Sequence, residues 1–514
     1  MPADHAYREL LALYRERCLI ESCASLLDWD AETYLPRGGV ELCAEKQALL
    51  ARLEHERATD PRMAELLAEA EAGTGAGSLA RPGAEGAGEC DPAEVRAANL
   101  RELRREHEKA VRVPVALVEE MARATTLAQG AWEAAHESGD PAPYLPHLSR
   151  VVHVIQQHAE CVRASSATRY EACLDSWEPG LDEAELGRLL DPLRAALTGL
   201  ADRLTAAAGQ PPDLMARSVP VRTQRALARA LITRFGFDFA GGRVDEAAHP
   251  STIRIGPGNV RLTMRFEARR PMAGIFPALH ELGHGLYDQN LPAEQFGTPI
   301  GEAPSLGLHE GQARLFENLV GRSRAFWQFF LPRLQAAAPA FRDLDLEQAY
   351  RAVNRVARTP DRVAADEVTY DLHIALRIDL ERALIAGDLE VADLPAAWDE
   401  ASARLLVRPR DPREGLLQDG HWAAGMFGYF PTYTLGNLIA AQLFRAALAA
   451  VPDLEQHIAA GSTAPLVDWL RGAVYRHGGL RPAAAIVERA TGGPIAIDAQ
   501  LARLRAKYGE LYRL

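Results

Sequence analysis

The chain has 514 residues, 48% of them hydrophobic and 25% charged, a balance typical of a soluble globular enzyme with a large buried core. Its formal net charge of −13 argues against a nucleic-acid or anionic-membrane partner, because both require a basic face. No run of about 18 apolar residues occurs, and charges run through the amino-terminal stretch MPADHAYRELLALYRER. We therefore expect no transmembrane helix, no secretory signal and a cytoplasmic location.

The first 235 residues have the apolar periodicity of a series of helices. Residues 6–70 predict two or three helices that break at residues 36–39, a turn-forming Pro-Arg-Gly-Gly. Residues 73–92 are rich in glycine and alanine and predict a flexible connector. Helical periodicity returns over residues 93–168, 182–208 and 221–235.

The pattern changes at residues 254–266, RIGPGNVRLTMRF, where alternating apolar residues around a Gly-Pro-Gly turn predict a β-hairpin or small sheet. The free edge of such a strand can hold an extended peptide through backbone hydrogen bonds. Further on, loops are predicted at 297–307 and 407–432, and helices at 308–320, 344–386, 434–450, 464–475 and 483–510. The predicted fold class is mainly α with one small sheet.

The segment between the predicted hairpin and the first of these loops contains an H-E-x-x-H motif, His280-Glu281-Leu282-Gly283-His284. Two histidines four residues apart on a helix point the same way, about 6 Å apart along its axis. This reach allows both imidazoles to bind one zinc ion, with Glu281 beside them as general base for a metal-bound water. The alternative is a helix with two ordinary histidines.

The residues around the motif favour a helix. Pro277 suits the first turn, where its missing N–H costs nothing, and Pro292 stops the element. Gly283 and Gly285 each cost about 1 kcal/mol of helix propensity, which predicts the close approach of another backbone or of a substrate.

The six cysteines all precede the motif and form no C-x-x-C pair. We interpret them as isolated thiols rather than as a disulfide framework or a second zinc site. They are Cys18, Cys23, Cys43, Cys90, Cys161 and Cys173.

A hydrolytic zinc site needs a third protein ligand and an open fourth position. A third histidine six residues after the second is excluded, because position 290 is asparagine. The alternative is a glutamate from a later helix. Glu310 lies near the start of a predicted helix and can project rigidly, whereas Glu302 in the preceding loop fits a supporting role better. The candidates are Glu294, Glu302, Glu310 and Glu317.

Segments along the whole chain resemble the carboxypeptidase Taq family of zinc metallocarboxypeptidases. They are LLDWDAETYLPRGG, HELGHGLYDQNL, GTPIGEAPSLGLHEGQARLFENLVGRS, RVAADEVTYDLHIALRIDLE, GLLQDGHWAAGMFGYFPTYTLGNL and RHGGL with ERATGGPI. The resemblance implies a large helical zincin-like fold, saddle-shaped with a deep groove, and a homodimer. It implies one metallocarboxypeptidase domain over 1–514, with an N-terminal helical part (1–235) and a catalytic part (236–514).

The implied activity is the release of single amino acids from peptides with a free C-terminus. The family's third-ligand position matches Glu310, so the predicted cofactor is one zinc ion per chain on His280, His284 and Glu310. Cobalt or manganese can substitute on these ligands. In the predicted mechanism, Glu281 takes a proton from the metal-bound water and later delivers it to the departing amine.

Amide hydrolysis passes through a tetrahedral oxyanion, so hydrogen-bond donors should converge on it. The segment HWAAGMFGYFPTY offers His421, Tyr429 and Tyr433. The resemblance, and the similar peptidyl-dipeptidase zincins, imply this role for a histidine and tyrosines here, and we favour Tyr433 as the main donor. The alternative is a buried aromatic cluster.

A carboxypeptidase must also recognise a free carboxylate, for which the fixed fork of arginine is suited. The resemblance points to Arg362 before VxADE, and Arg358 is a near alternative because the VARTPDRV spacing is ambiguous. The competing interpretation of either arginine is a structural salt bridge with Asp366 or Glu367.

Three other histidines receive weaker assignments. His249 matches a family His-Pro site at which Ser251 replaces the usual phenylalanine, so we expect an altered pocket shape and side-chain preference. His309 and His373 are interpreted as structural rather than as ligands.

Two rival functions share part of this pattern. A zinc endopeptidase or oligopeptidase would use the same motif in an open-ended groove without a need for a free substrate carboxylate. A non-catalytic helical binding protein would keep the fold and lose the metal. The intact histidines and glutamates of the motif argue against the second rival.

Overall fold

The computed structural model describes residues 2–72, 91–207 and 210–514. Over these residues the fold is mostly helical, as predicted, with one small sheet. The α-helices are α1 Pro2–Thr33, α2 Val40–Ala58, α3 Pro61–Ala72, α4 Pro92–Ala110, α5 Val115–Ser138, α6 Leu145–Val162, α7 Arg169–Leu174, α8 Glu183–Ala206, α9 Val221–Arg234, α10 Met272–Asn290, α11 Leu306–Arg314, α12 Arg324–Ala337, α13 Leu346–Val353, α14 Tyr370–Ala386, α15 Leu394–Leu405, α16 Pro431–Ala450, α17 Leu454–Ala459, α18 Ala464–Ala473, α19 Ala483–Thr491 and α20 Asp498–Tyr512. None of the helices in these ranges is long and apolar enough to span a membrane.

The amino-terminal helices α1, α3 and α4 share a small hydrophobic core of their own, built on residues such as Leu10, Leu66 and Leu103. The predicted helices of residues 6–70 are confirmed, with a break at residues 34–39. The predicted connector at 73–92 lies outside the described residues up to position 90, as does Cys90. The other five cysteines are free thiols, as predicted.

A much larger core joins the rest of the chain. It includes Leu148 of α6, Leu193 of α8, Leu282 of α10, Leu438 of α16 and Tyr508 of α20, each fully buried. Helices before and after residue 235 therefore contribute to one core.

The predicted hairpin is confirmed, and a third strand joins it. The strands are β1 Gly242–Glu246, β2 Ser251–Gly256 and β3 Asn259–Met264. Their order is β1-β3-β2, with β1 parallel and β2 antiparallel to β3. The alternating β3 residues Val260, Leu262 and Met264 are buried against the main core and α10. Because β3 is the central strand, β2 is an edge strand, and it lies beside the H-E-x-x-H helix.

The predicted start of the motif helix was wrong. The helix α10 begins at Met272, so Pro277 lies in its interior rather than in its first turn. Burial of Ile275 and Phe276 in this added turn offsets the backbone hydrogen bond that proline removes. The predicted end is correct, because α10 stops at Asn290, two residues before Pro292.

Two long predicted helices are each interrupted. Residues 344–386 form α13 and α14 separated by residues 354–369, where Asp366 accepts backbone N–H groups of Ala357, Val368 and Thr369 in place of helical bonds. Residues 483–510 form α19 and α20, because Gly492 ends α19 in the left-handed conformation at φ 79°.

The predicted helix over 308–320 changes type within its length. The α-helix α11 ends at Arg314, and residues Leu315–Val320 continue as a π-helical stretch. Such stretches are rare and frequent at functional sites.

Gly283 lies at the closest contact between α10 and α11. A Cβ at this position would lie 2.6 Å from the Cα of Ala313 and 2.8 Å from its backbone nitrogen. The predicted close approach of another backbone is therefore confirmed here. At Gly285 the neighbours are side chains, Phe237 at 2.8 Å and Leu262 at 3.0 Å.

We predict that Gly283→Ala lowers the free energy of unfolding by at least about 2 kcal/mol, because two backbones must separate to admit the methyl group. The matched control is Gly199→Ala in α8, where a Cβ meets nothing within 4 Å. Alanine reduces the conformational entropy of the unfolded chain relative to glycine, so this control should be more stable than the wild type by about 0.5–1 kcal/mol. Calorimetry of both variants checks the prediction, and a Gly283→Ala protein with the same melting temperature as the wild type would contradict it.

Candidate metal centre and active site

Three side chains from two helices form a cluster suited to a metal ion. His280 and His284 project from α10, and Glu310 projects from α11 across the glycine contact. The Nε2 atoms of the two histidines lie 3.6 Å and 3.5 Å from Oε2 of Glu310. Among the four candidate glutamates, all within the described residues, Glu310 alone joins this cluster.

Arg314 and Glu317 support the cluster from behind. The Nε of Arg314 donates to Oε1 of Glu310 at 2.6 Å, and its Nη1 donates to Oε2 of Glu317 at 3.3 Å. The same Glu317 oxygen accepts Nδ1–H of His280 at 3.0 Å, which turns Nε2 of His280 towards Glu310. The sequence interpretation had Glu317 as a possible ligand, and its position is that of an orienting group.

Ring stacking orients His284, whose Nε2 faces Glu310. Its imidazole stacks on that of His309, with centroids 4.3 Å apart and planes inclined by 16°. The Nε2 of His309 lies 3.0 Å from Oδ1 of Asp288 on α10. Within the described part of the chain, Nδ1 of His284 is buried and has no hydrogen-bond partner.

Electrostatics favour the metal-binding protonation state at Glu310 and His284. At His280, burial is outweighed by the neighbouring Glu310 and Glu317, which raise the pKa. Burial raises the pKa of Glu310, but attraction to Arg314 and His280 outweighs it, so the pKa falls well below its usual range. Burial, together with repulsion from His309, lowers the pKa of His284 to about 4. An ionised carboxylate and a neutral imidazole therefore face each other at neutral pH.

Glu281 points from α10 towards the sheet. One of its oxygens accepts the Thr252 hydroxyl of β2 at 2.7 Å. Thr252 pairs with Leu262 in the strand register, so both face α10. Burial raises the pKa of Glu281 above its usual range.

The predicted oxyanion residues come together in the loop before α16 and in its first turn. The Nε2 of His421 lies 3.1 Å from the Tyr433 hydroxyl. The ring of Tyr429 is 5.4 Å from those of both His421 and Tyr433. All three are partly exposed, whereas Phe430 beside them is buried. The cluster therefore combines an aromatic core with accessible polar atoms.

Arg362 lies buried in an ion-pair cluster, but its partner differs from the two considered in the sequence. Its Nε and Nη2 donate to Oδ1 of Asp419 at 3.0 Å and 2.7 Å. The other Asp419 oxygen accepts Nε of Arg377 at 2.7 Å. Two guanidinium groups therefore share one carboxylate. Asp366 caps backbone groups instead, and Glu367 pairs with Arg503 and Lys507.

The two remaining candidates for substrate binding, Arg358 and His249, lie outside the cluster of Arg362, Arg377 and Asp419. Nη2 of Arg358 pairs with Asp202 of α8 at 2.7 Å. His249 lies exposed in the turn between β1 and β2, where its carbonyl accepts the Thr263 hydroxyl.

The sequence interpretation missed Arg314, Tyr370 and Asp419. Arg314 follows Glu310 by four residues, a spacing that places both on one helix face and could have indicated the pair. Tyr370 accepts from both Arg314 and Arg362, at 2.5 Å and 3.0 Å. The Arg362–Asp419 pair spans 57 positions and the Arg314–Tyr370 pair spans 56, and a single sequence carries no signal for such contacts.

The comparisons with known proteins agree along the whole chain. The family profile described as carboxypeptidase Taq (M32) metallopeptidase matches residues 9–508. The chain is 42% identical to thermostable carboxypeptidase 1 of Thermus thermophilus, over 100% of both chains. It is 31% identical to carboxypeptidase 1 of Bacillus subtilis, over 99% of both.

Solved structures have the same fold. The M32 carboxypeptidase from Deinococcus radiodurans R1 superimposes with a TM-score of 0.91 at 36% identity, covering 99% of this chain and 100% of that one. The profile match, the identities and the superposition each extend over nearly all of the sequence. The chain therefore belongs to the carboxypeptidase Taq (M32) family of metallopeptidases.

Proposed function

We propose that the protein is a zinc-dependent carboxypeptidase that releases single amino acids from the C-termini of peptides, with Glu281 as general base. The observation that carries the proposal is the convergence of His280, His284 and Glu310 beside Glu281. Near this cluster two buried arginines share a single carboxylate, so one of their positive charges is not neutralised. The homodimer and the cytoplasmic location stay predictions.

The donor set fits zinc. Donor atoms about 2.1 Å from a tetrahedral ion lie about 3.4 Å apart, and each histidine nitrogen lies 3.5–3.6 Å from the Glu310 oxygen. We propose that His280, His284 and Glu310 hold one zinc ion per chain, and that cobalt or manganese can replace it. When bound, the metal supplies a Lewis acid that acidifies water and polarises the scissile carbonyl.

Glu281 is suited to move the proton. Its carboxylate lies beside the metal ligands, and the Thr252 hydroxyl holds one oxygen, which leaves the other for the attacking water. We propose that this oxygen takes the proton from water and then gives it to the departing amine nitrogen. Burial raises the pKa of Glu281, so this carboxylate holds a proton more readily than an exposed glutamate does.

The oxyanion of the tetrahedral intermediate needs further donors. Tyr433 and His421 are already within hydrogen-bond distance of each other, and the guanidinium carbon of Arg362 lies 5.1 Å from the centroid of the Tyr433 ring. We propose Tyr433 as the main donor, with His421 and Tyr429 as supporting groups. Burial lowers the pKa of His421 to about 4, so its imidazole is neutral at pH 7.

Arg362 is the proposed anchor for the substrate carboxylate. With Arg377 and Asp419 it forms a buried cluster of two positive charges and one negative charge, which leaves one positive charge to balance. A buried unpaired charge is costly, and a substrate carboxylate removes that cost. Arg358 already has Asp202 as a partner, so we prefer Arg362.

We predict that Glu317→Gln weakens zinc binding about 10–100-fold, because the neutral amide no longer anchors His280 and Arg314 as a carboxylate does. The matched control is Glu294→Gln, an exposed glutamate outside the cluster, which should bind zinc like the wild type. Titration against a competing chelator measures both affinities. Equal affinities in the two variants would count against an orienting role for Glu317.

We predict that Glu281→Gln keeps stoichiometric zinc but lowers kcat by about 10²–10⁴-fold, since the amide cannot accept the proton of water. Metal analysis and peptide hydrolysis on the same sample check both parts. Full turnover by a zinc-loaded Glu281→Gln protein would remove Glu281 from the mechanism.

We predict that mass spectrometry of one peptide, offered with a free and with an amidated C-terminus, shows stepwise loss of single residues from the free form only. A chelator should stop this loss. Arg362→Ala should reduce kcat/KM on the free form by about a hundredfold or more, whereas Arg358→Ala should change it little. Internal cleavage of both forms would support the endopeptidase, and no cleavage with zinc present would support the binding protein.

A further inference from the structure

A chain of buried hydrogen bonds connects the metal ligand Glu310 to the carboxylate anchor Arg362. Oε1 of Glu310 accepts Nε of Arg314 at 2.6 Å. Nη2 of Arg314 donates to the Tyr370 hydroxyl at 2.5 Å, and Nη1 of Arg362 donates to the same oxygen at 3.0 Å. All four residues are at most 9% exposed. Among the described residues, Tyr370 is the one side chain that hydrogen-bonds to both arginines.

Tyr370 is itself held from several directions. It is the first residue of α14, and its backbone N–H donates to the carbonyl of Asp366, whose side chain accepts the two preceding N–H groups. The guanidinium of Arg314 covers its ring at 4.0 Å, and the ring of Tyr433 meets it edge-on at 6.2 Å. These contacts fix the hydroxyl as a rigid reference point.

The hydroxyl overcomes a repulsion between like charges. Two guanidinium groups in a buried region repel each other, yet each places one N–H on the same phenolic oxygen. Each arginine also has carboxylate partners. Those of Arg314 are Glu310 and Glu317, and that of Arg362 is Asp419, which it shares with Arg377. Removal of the hydroxyl therefore leaves both ion pairs in place but removes the connection between them.

The distance between the carboxylate anchor and the hydrolytic centre determines which peptide bond a carboxypeptidase cleaves. The carboxylate anchor and the hydrolytic centre must be separated by one residue, which in extended form spans about 3.3–3.6 Å. A misplacement of about 1 Å costs about a hundredfold in rate. An anchor that moved by one residue length would permit the release of dipeptides.

We propose that Tyr370 is a positioning residue that holds Arg362 at a fixed distance from Glu310, and thereby sets the length of the released product at one amino acid. This inference rests on the proposed function, because it takes Arg362 as the carboxylate anchor. Tyr370 acts through Arg362 and does not itself touch the reacting atoms.

The test is Tyr370→Phe, which deletes one hydroxyl and keeps the ring. We expect zinc affinity close to that of the wild type, a KM for free-carboxyl peptides raised about tenfold, and a smaller change in kcat. The preference for free over amidated peptide should fall by the same factor, and dipeptides should appear among the products. The matched control is Tyr508→Phe, which also loses a buried phenolic hydrogen bond to a charged group, Glu367. This control should keep the wild-type preference and product length.

A double-mutant cycle separates positioning from general loosening. In an Arg362→Ala background, Tyr370→Phe should have no further effect on KM, because its effect passes through the missing arginine. Additive effects, or an unchanged preference and product length in Tyr370→Phe, would overturn the assignment.

A substrate variant tests the same distance without mutating the protein. A peptide whose last residue contains one extra backbone methylene shifts the carboxylate away from the scissile bond. Wild-type kcat/KM should fall about a hundredfold on it, and a fall of less than fivefold would overturn a fixed distance. If the wild type cleaved free and amidated peptides equally well, the proposed function itself would be refuted. If Tyr370→Phe kept the full wild-type preference for the free peptide, only the role of Tyr370 would be refuted.

Discussion

The buried guanidinium of Arg314 is the interaction on which the arrangement of the site depends. Its three nitrogens each have a separate partner: Glu310, Glu317 and the Tyr370 hydroxyl. Burial of a charge is costly unless such partners surround it, so the position of any one of them constrains the others. The proposed carboxylate ligand Glu310, the Glu317 that orients His280 and the Tyr370 link towards Arg362 therefore all depend on one side chain. The π-helical stretch after Arg314 carries Glu317 into reach.

Backbone contact between two helices brings the proposed metal ligands together. Histidines from α10 and a glutamate from α11 can converge only if the helix axes approach closely, and the missing side chain of Gly283 permits this. A second glycine acts on the other face of α11, because a Cβ at Gly436 of α16 would lie 2.6 Å from Cγ of Glu310. Glu310 is thus confined between α10 and α16, which limits its rotamers and preorganises the site.

Local patterns in the sequence predicted much of the fold and brought out most residues of the candidate site. The motif spacing located His280, His284 and Glu281, and the alternation around a Gly-Pro-Gly turn located the hairpin. Interactions between distant segments could not be predicted. The strand β1, GRVDE, contains a single large apolar residue and depends on pairing with β3, and the Arg362–Asp419 pair joins residues 57 positions apart. Pro277 shows the limit of a local rule, since tertiary burial extended the helix past it.

The charged groups of the site form two clusters whose net charges have opposite signs. Around the ligands, Glu310 and Glu317 carry two negative charges against the one positive charge of Arg314, a net of −1. Around Asp419, two arginines leave a net of +1. On the proposed function, a divalent cation of charge +2 more than offsets the net −1 of the first cluster, and a substrate carboxylate cancels the net +1 of the second, so each meets a cluster of opposite charge. Tyr370, neutral and bonded to both, separates the clusters while it holds them at one distance. On the proposed function, the same electrostatics that stabilise the loaded site also distinguish a peptide with a free C-terminus from one without.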